Sequence, residues 1–154
     1  MRWAHTAEQV ESALSVREEV FCREQGVPWA EERDGRDESA LHLLALAPDA
    51  RVVGALRLQL ADGLAHIGRV AVRRDWRRLG IGSHMLEAAL ARAERSGCHE
   101  ARLASQLAAT RLYRRAGFAV VSEPFPEAGI AHVWMHRALR PRGPGGVPVA
   151  RDLG

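Results

Sequence analysis

The sequence predicts an α+β fold: one domain on a central mixed, mostly antiparallel, twisted sheet of about 6–7 strands. Between Ala40 and Val72, short runs rich in branched and apolar residues alternate with turn signals, as in an antiparallel meander. Beyond Val72 the apolar spacing becomes helical, then returns to short strands, so a strand–helix–strand unit follows the meander.

A short strand is expected around Arg2–His5. "TAEQ" at Thr6–Gln9 then has the capping-box form, in which the Thr hydroxyl and the Gln side chain satisfy exposed backbone N–H groups, so a helix starts there. Val10, Leu14, Arg17 and Phe21 recur at helical spacing beside Ala13 and Val20, until "QGVP" at Gln25–Pro28 supplies a stop. "WAEERDGRDES" reads as an acidic, irregular stretch. "ALHLLAL" and "RVVGALRLQL" are strands joined by the turn "APDA", and "ADG" at Ala61–Gly63 makes the next turn. "LAHIGRVAV", Leu64–Val72, is a third strand, and alternation places His66, Gly68, Val70 and Val72 on one face. Leu86, Ala89, Leu90 and Ala93 form a helical stripe that Gly97 closes. "ARLAS" is a short strand, "LAATRLYRRA" a helix closed by Gly117, and "FAVVSE" and "AHVWMH" the last strands. The domain is expected to span residues 1–139, with residues 140–154, rich in Pro and Gly, as a flexible tail.

Composition narrows the function classes. No run of apolar residues is long enough to cross a bilayer, and "MRWAHTAEQVES" lacks the form of a secretory signal, so a cytoplasmic protein with no membrane role is expected. Every one of the 22 basic residues is arginine, yet 19 acidic residues nearly balance them at a net charge of +3. No basic block stands alone, which argues against a nucleic-acid partner. Cys22 and Cys98 are too few for a disulfide framework, and the histidines have no ligand spacing, so no metal is expected.

Chemistry concentrates in "RRDWRRLGIGSHMLEAALARA", Arg73–Ala93. A strand, a loop with Gly80 and Gly82, and a helix make an anion site: the glycines let successive N–H groups turn inward, and the helix N-terminus adds partial positive charge. The spacing is neither GxGxxG nor GxxxxGK[ST], which sets aside nicotinamide and ATP. An arginine-rich turn before a core helix is the plain structural alternative. What the stretch resembles is the R-x-x-G-x-G/A motif of the GCN5-related N-acetyltransferase (GNAT) superfamily, matched by Arg77, Gly80 and Gly82. The order "IGRVAV", "RRLGIG", "SHMLEAALARAERSG", "ARLASQ", "ATRLYRRAGF" follows the same superfamily pattern over roughly Leu41–His136. Leu112 departs from it, standing where many relatives have an aromatic residue.

The resemblance implies the GNAT fold, with about four helices flanking the sheet, and acetyl-CoA as acyl donor. Its loop would bind the pyrophosphate through Arg77, Arg78, Leu79, Gly80, Ile81, Gly82 and Ser83, and its strand would meet the thioester arm at Val70, Ala71 and Val72. The N-terminal segments "VREEVFCREQGVP", "EERDGRD" and "ALHLLA" resemble the ElaA- and YjcF-like small bacterial acetyltransferases. Arg17, Phe21, Glu32, Asp34, Asp37 and Arg57 also match the acyl-homoserine-lactone synthases, which share the fold but generally lack the glycine loop.

Acetyl transfer to an amine needs a base for the ammonium and an acid for the departing thiolate. Tyr113, the one tyrosine, falls where the family's general acid sits, and its alternative is ordinary helix packing. Candidate bases are His66, at the family's base position on its strand, Glu24 in "EQGVP" and, more weakly, His42, with a water chain as substitute. Glu32, Asp34 and Asp37 would either bind a cationic acceptor or, the favoured reading, pair with Arg17, Arg33, Arg36 or Arg57 to brace the fold. The function implied is acetyl-CoA-dependent N-acetylation of a small-molecule or peptide amine by direct attack in a ternary complex, by a monomer or homodimer. The alternatives are a non-catalytic CoA-binding sensor and an acyl-homoserine-lactone synthase-like acyltransferase.

Overall fold

The structure, a computed structural model, describes residues 1–142. From residue 143 onward the expected flexible tail lies outside the described residues. Arg140 and Arg142, within them, donate their backbone N–H groups to Glu94, to its Oε2 (2.8 Å) and its carbonyl (2.7 Å).

Strand β1, Arg2–Trp3, leads into the capping box that the sequence predicts. Thr6 Oγ1 accepts from Gln9 N–H at 3.1 Å and Gln9 Oε1 accepts from Thr6 N–H at 3.2 Å, starting helix α1, Ala7–Arg17. The helix does not stop there. It widens into a seven-residue π-helical segment, Glu18–Glu24, of a kind often found beside functional sites. The stretch read as irregular holds one helical turn, α2 (Trp29–Glu32), which Pro28 opens.

Strands β2 (Leu41–Leu46), β3 (Val52–Ala61) and β4 (Leu64–Val72) form the antiparallel meander. Helix α3 (Ile81–Arg95) crosses over to β5 (Glu100–Gln106), which runs parallel to β4. Helix α4 (Thr110–Arg115), short strands β6 (Ala119–Val120) and β7 (Phe125–Glu127), and the long β8 (Ile130–Ala138) complete the chain. The eight strands form one sheet in the order β1-β2-β3-β4-β5-β8-β6, with β7 also on β8. "FAVVSE" thus contributes only two residues to the sheet, and Phe125–Glu127 extends pairing along the same strand.

Two apolar layers sandwich the sheet. On one face Leu43, Leu56, Leu58 and Ile67 pack with Met85, Leu86, Ala89 and Leu90 of α3 and Tyr113 of α4. On the other, Leu44, Ala55 and Ala71 pack with Ala13 and Val16 of α1 and Val20 beyond it. The β4 register corrects one expectation. Ala71 pairs with Ala55 and Gly68 with Arg57, so β4 spends one more residue than β3, and Arg69 takes φ +52°. This bulge reverses the alternation: His66 and Gly68 share the α1 face with Ala71, whereas Val70 and Val72 pack on the α3 side. His66 and Val72 therefore do not share a face.

Candidate active site

The site begins where two parallel strands part. β4 and β5 pair only over Leu64–His66 with Glu100–Arg102, and beyond His66 they diverge. A cleft of about 1210 Å³ opens in the split, lined from β4 by His66 to Val72 and from the loop before α3 by Arg77, Arg78 and Gly80 to Ser83.

At the end of the cleft next to α3, Arg78 (φ +64°) and Gly80 (φ +80°) both take left-handed backbone, curling the chain into the helix. No side chain caps that helix, and Gly80 contributes its carbonyl to His84 N–H at 3.1 Å. The first-turn N–H groups of Ile81, Gly82 and Ser83 have no intrahelical acceptor, which makes this end a binding place for an anion. Arg77 braces the loop: its Nε donates to the Val72 carbonyl at 2.8 Å and its Nη2 to Glu24 Oε1 at 2.9 Å. Of the predicted phosphate ligands, Leu79 is exposed and does not line the cleft.

Tyr113 lines the same cleft from α4. Its ring packs edge-on against Phe118, centroids 6.2 Å apart, and among the described residues its hydroxyl has no hydrogen-bond partner. Burial pushes its pKa above the ordinary tyrosine value, so the phenol stays protonated at neutral pH. His66 faces the cleft from the opposite side of the sheet. Burial first, then the charges of Arg57 and Arg36, lower its pKa, against a smaller upward pull from Glu127; the imidazole is neutral at pH 7.

Glu32, Asp34, Arg57 and Arg69, which also line the cleft, belong to an ion-pair network. Arg17, 1% exposed, donates to Glu32 Oε1 at 2.6 Å and Asp37 Oδ1 at 2.7 Å. Arg57 grips Asp34 with both Nη atoms at 2.8 Å and reaches Asp37 at 3.2 Å. Arg69, on the bulge, donates through Nε to the Glu32 carbonyl at 3.3 Å, tying β4 to α2. The acidic residues thus brace the fold around Arg17 and Arg57. Arg36 takes part only through its backbone N–H, which Asp34 accepts at 3.1 Å. Burial opposes the ionisation of Asp34 and Asp37, but hydrogen bonds from Arg57 and Arg17 outweigh it and hold both carboxyls below their ordinary pKa. Depressed folded-state values mean that this stabilisation is present above about pH 4 and is lost as the pH falls further. Arg17→Ala takes from buried Glu32 its shortest ion pair but leaves it Arg33 at 3.0 Å and Arg69 at 3.7 Å, so the expected cost in denaturant unfolding is about 3 kcal/mol, the low end for breaking a buried pair.

The remaining candidates separate. Glu24 is held by Arg77, with Arg74 at 3.8 Å, in a separate depression beside Arg73–Trp76, and does not line the cleft that His66 and Tyr113 share. His42 is buried, its Nε2 2.9 Å from the Asp37 carbonyl, and does not line the cleft. Three features escaped the sequence reading. One is the Arg69 bulge. Another is a hydrogen bond from Gln106 Nε2 to Gln25 Oε1 (2.8 Å), which joins β5 to the segment after α1. The third is an aromatic wall made by Trp134, Phe125 and His132, signalled only by three consecutive apolar residues in "VWM". Among the described residues no group of His, Cys, Asp and Glu is placed to hold a metal ion, and no helix is long and apolar enough to cross a membrane.

A sheet split between parallel strands, with an uncapped helix N-terminus on one side of the opening, frames the site. The chain belongs to the N-acetyltransferases of the GNAT family: the Acetyltransferase (GNAT) domain matches residues 4–139. It is 35% identical over 133 residues to the uncharacterized N-acetyltransferase YjcF of Bacillus subtilis, covering 86% of this chain and 94% of that protein. Among solved structures it is similar to an acyl-CoA N-acyltransferase from Pseudomonas aeruginosa (33% identity, TM-score 0.78, 90% of this chain and 100% of the other). Escherichia coli ElaA aligns with a TM-score of 0.77 at 26% identity, over 88% and 98% of the two chains.

Proposed function

We propose that the chain moves acetyl from acetyl-CoA to an amine by direct attack in a ternary complex. One observation carries the reading: the unsatisfied first turn of α3, the unpartnered Tyr113 hydroxyl and the neutral His66 all open onto the cleft between β4 and β5. Acetyl-CoA supplies an activated thioester, and the rest falls to the chain. The N–H groups of Gly80–Ser83 hold the pyrophosphate, and backbone groups of Val70–Val72, released from β5, align the arm. His66 accepts a proton from the incoming ammonium, whose own pKa is lowered on entering the same partly buried cleft. As the carbon–sulfur bond breaks, Tyr113 donates its proton to the departing sulfur and regains one from the second proton that the nitrogen loses on becoming an amide.

Calorimetric titration with acetyl-CoA tests the donor half. Micromolar binding is expected, and its absence would overturn the reading. The acceptor half has a pH signature. A neutral His66 is needed, so kcat/KM for the amine falls on the acid side, with its midpoint below the ordinary histidine value of about 6.5. His66→Gln is expected to lower kcat about 10²-fold and to flatten that limb. An unchanged limb in the variant would assign the base elsewhere.

A further inference from the structure

We propose that the acceptor is a primary amine carrying an aromatic ring, and that Trp134 is the surface on which the ring stacks. The inference rests on the transfer reading above and names its acceptor class. Trp134 stands on β8 between buried Val133 and Met135, yet is 39% exposed and lines the cleft. Opposite it on β5 is Ala104, too small to cover the indole. Phe125 stacks against the indole at 5.6 Å and 24°, and His132 stacks on Phe125 in turn at 6.1 Å and 28°. The backbone is pinned as well, since Trp134 N–H donates to Ser122 Oγ at 2.9 Å. An exposed indole held in one orientation is a preformed platform for a flat partner, which prefers offset stacking at such separations.

Its position relative to the chemistry supplies the second argument. Although β5 lies between their strands, the Trp134 and His66 rings are 5.9 Å apart, so a ring seated on the indole carries a short-chain amine to the imidazole. Charge narrows the class further. Glu127, facing the same cleft 3.6 Å from His132 Nε2, offers a carboxylate to an ammonium, and Arg57, although it faces His66, does not cancel it because Asp34 and Asp37 already pair with that arginine. One ammonium on a flat apolar body fits this end of the cleft.

The test compares 2-phenylethylamine with 2-cyclohexylethylamine, which share chain length and differ in the flatness and π-face of the ring. With the full chain at saturating acetyl-CoA, kcat/KM is expected to favour the phenyl compound by about five- to tenfold, the range one stacked pair supplies. Trp134→Ala brings the ratio to about one, and Trp134→Phe, keeping an aromatic face, preserves most of it. Equal kcat/KM in the parent chain, or a ratio that survives Trp134→Ala, overturns the inference. So does failure to acetylate either amine by a chain that binds acetyl-CoA, an outcome that leaves the donor half of the transfer reading standing. Failure to bind acetyl-CoA removes both.

Discussion

Tyr113→Phe is expected to lower kcat by about 10³-fold while leaving acetyl-CoA affinity within about twofold, within the range a positioned general acid contributes. The substitution removes one oxygen. The ring's edge-on packing against Phe118 and its place in the α3-side core are kept, and the lost hydroxyl makes no hydrogen bond to a described residue. Thermal stability therefore stays close to that of the parent chain, and the kinetic change reports on transfer alone. Because burial raises the phenol's pKa, Tyr113 adds no alkaline limb below about pH 10, and the parent's kcat stays level there with respect to this group. Thiol release measured with and without the hydroxyl, beside calorimetry of acetyl-CoA, checks both parts. A loss in binding as large as the loss in kcat would make Tyr113 a packing residue instead.

Much of this arrangement is legible in the sequence because it depends on local chemistry. Thr6 and Gln9 cap α1 through side chains three residues apart, and Gly80 enters α3 where only a glycine adopts left-handed backbone freely. The features that stayed hidden depend on parity and on distant partners. "HIGRVAV" alternates as a regular strand would, so nothing in its residue types announces that Arg69 is the extra residue that turns His66 and Val72 to opposite faces. Glu24 and Gln25 are neighbours in one motif, yet one pairs with Arg77 and the other with Gln106. Sequence adjacency cannot tell which side chain a π-helical segment turns toward the cleft. The acidic stretch before β2 was open to two readings for a similar reason. Asp34 and Asp37 suit a cationic ligand as well as they suit Arg57 and Arg17, and burial of those arginines decides it.

Gly82→Glu provides the sharpest test of the donor loop, because it separates binding from folding. The side chain at position 82 would leave the second residue of α3, where a Cβ meets Leu112 Cδ2 at 3.4 Å and Cδ1 at 3.6 Å, ordinary van der Waals contact. Gly82→Ala should therefore fit and stabilise the helix by about 0.5–1 kcal/mol, with acetyl-CoA affinity changed only a fewfold. Glutamate in the first helical turn also favours folding, since its charge opposes the positive end of the helix dipole. It nevertheless puts a carboxylate among the N–H groups proposed to hold the pyrophosphate, where like charges would repel and the space would be taken. The expected result is a melting temperature no lower than the parent's, together with a loss of acetyl-CoA affinity of at least about 10²-fold, or roughly 2.7 kcal/mol. If instead Gly82→Glu binds acetyl-CoA as the parent does, the phosphates lie elsewhere, and the uncapped end of α3 is only the start of a core helix.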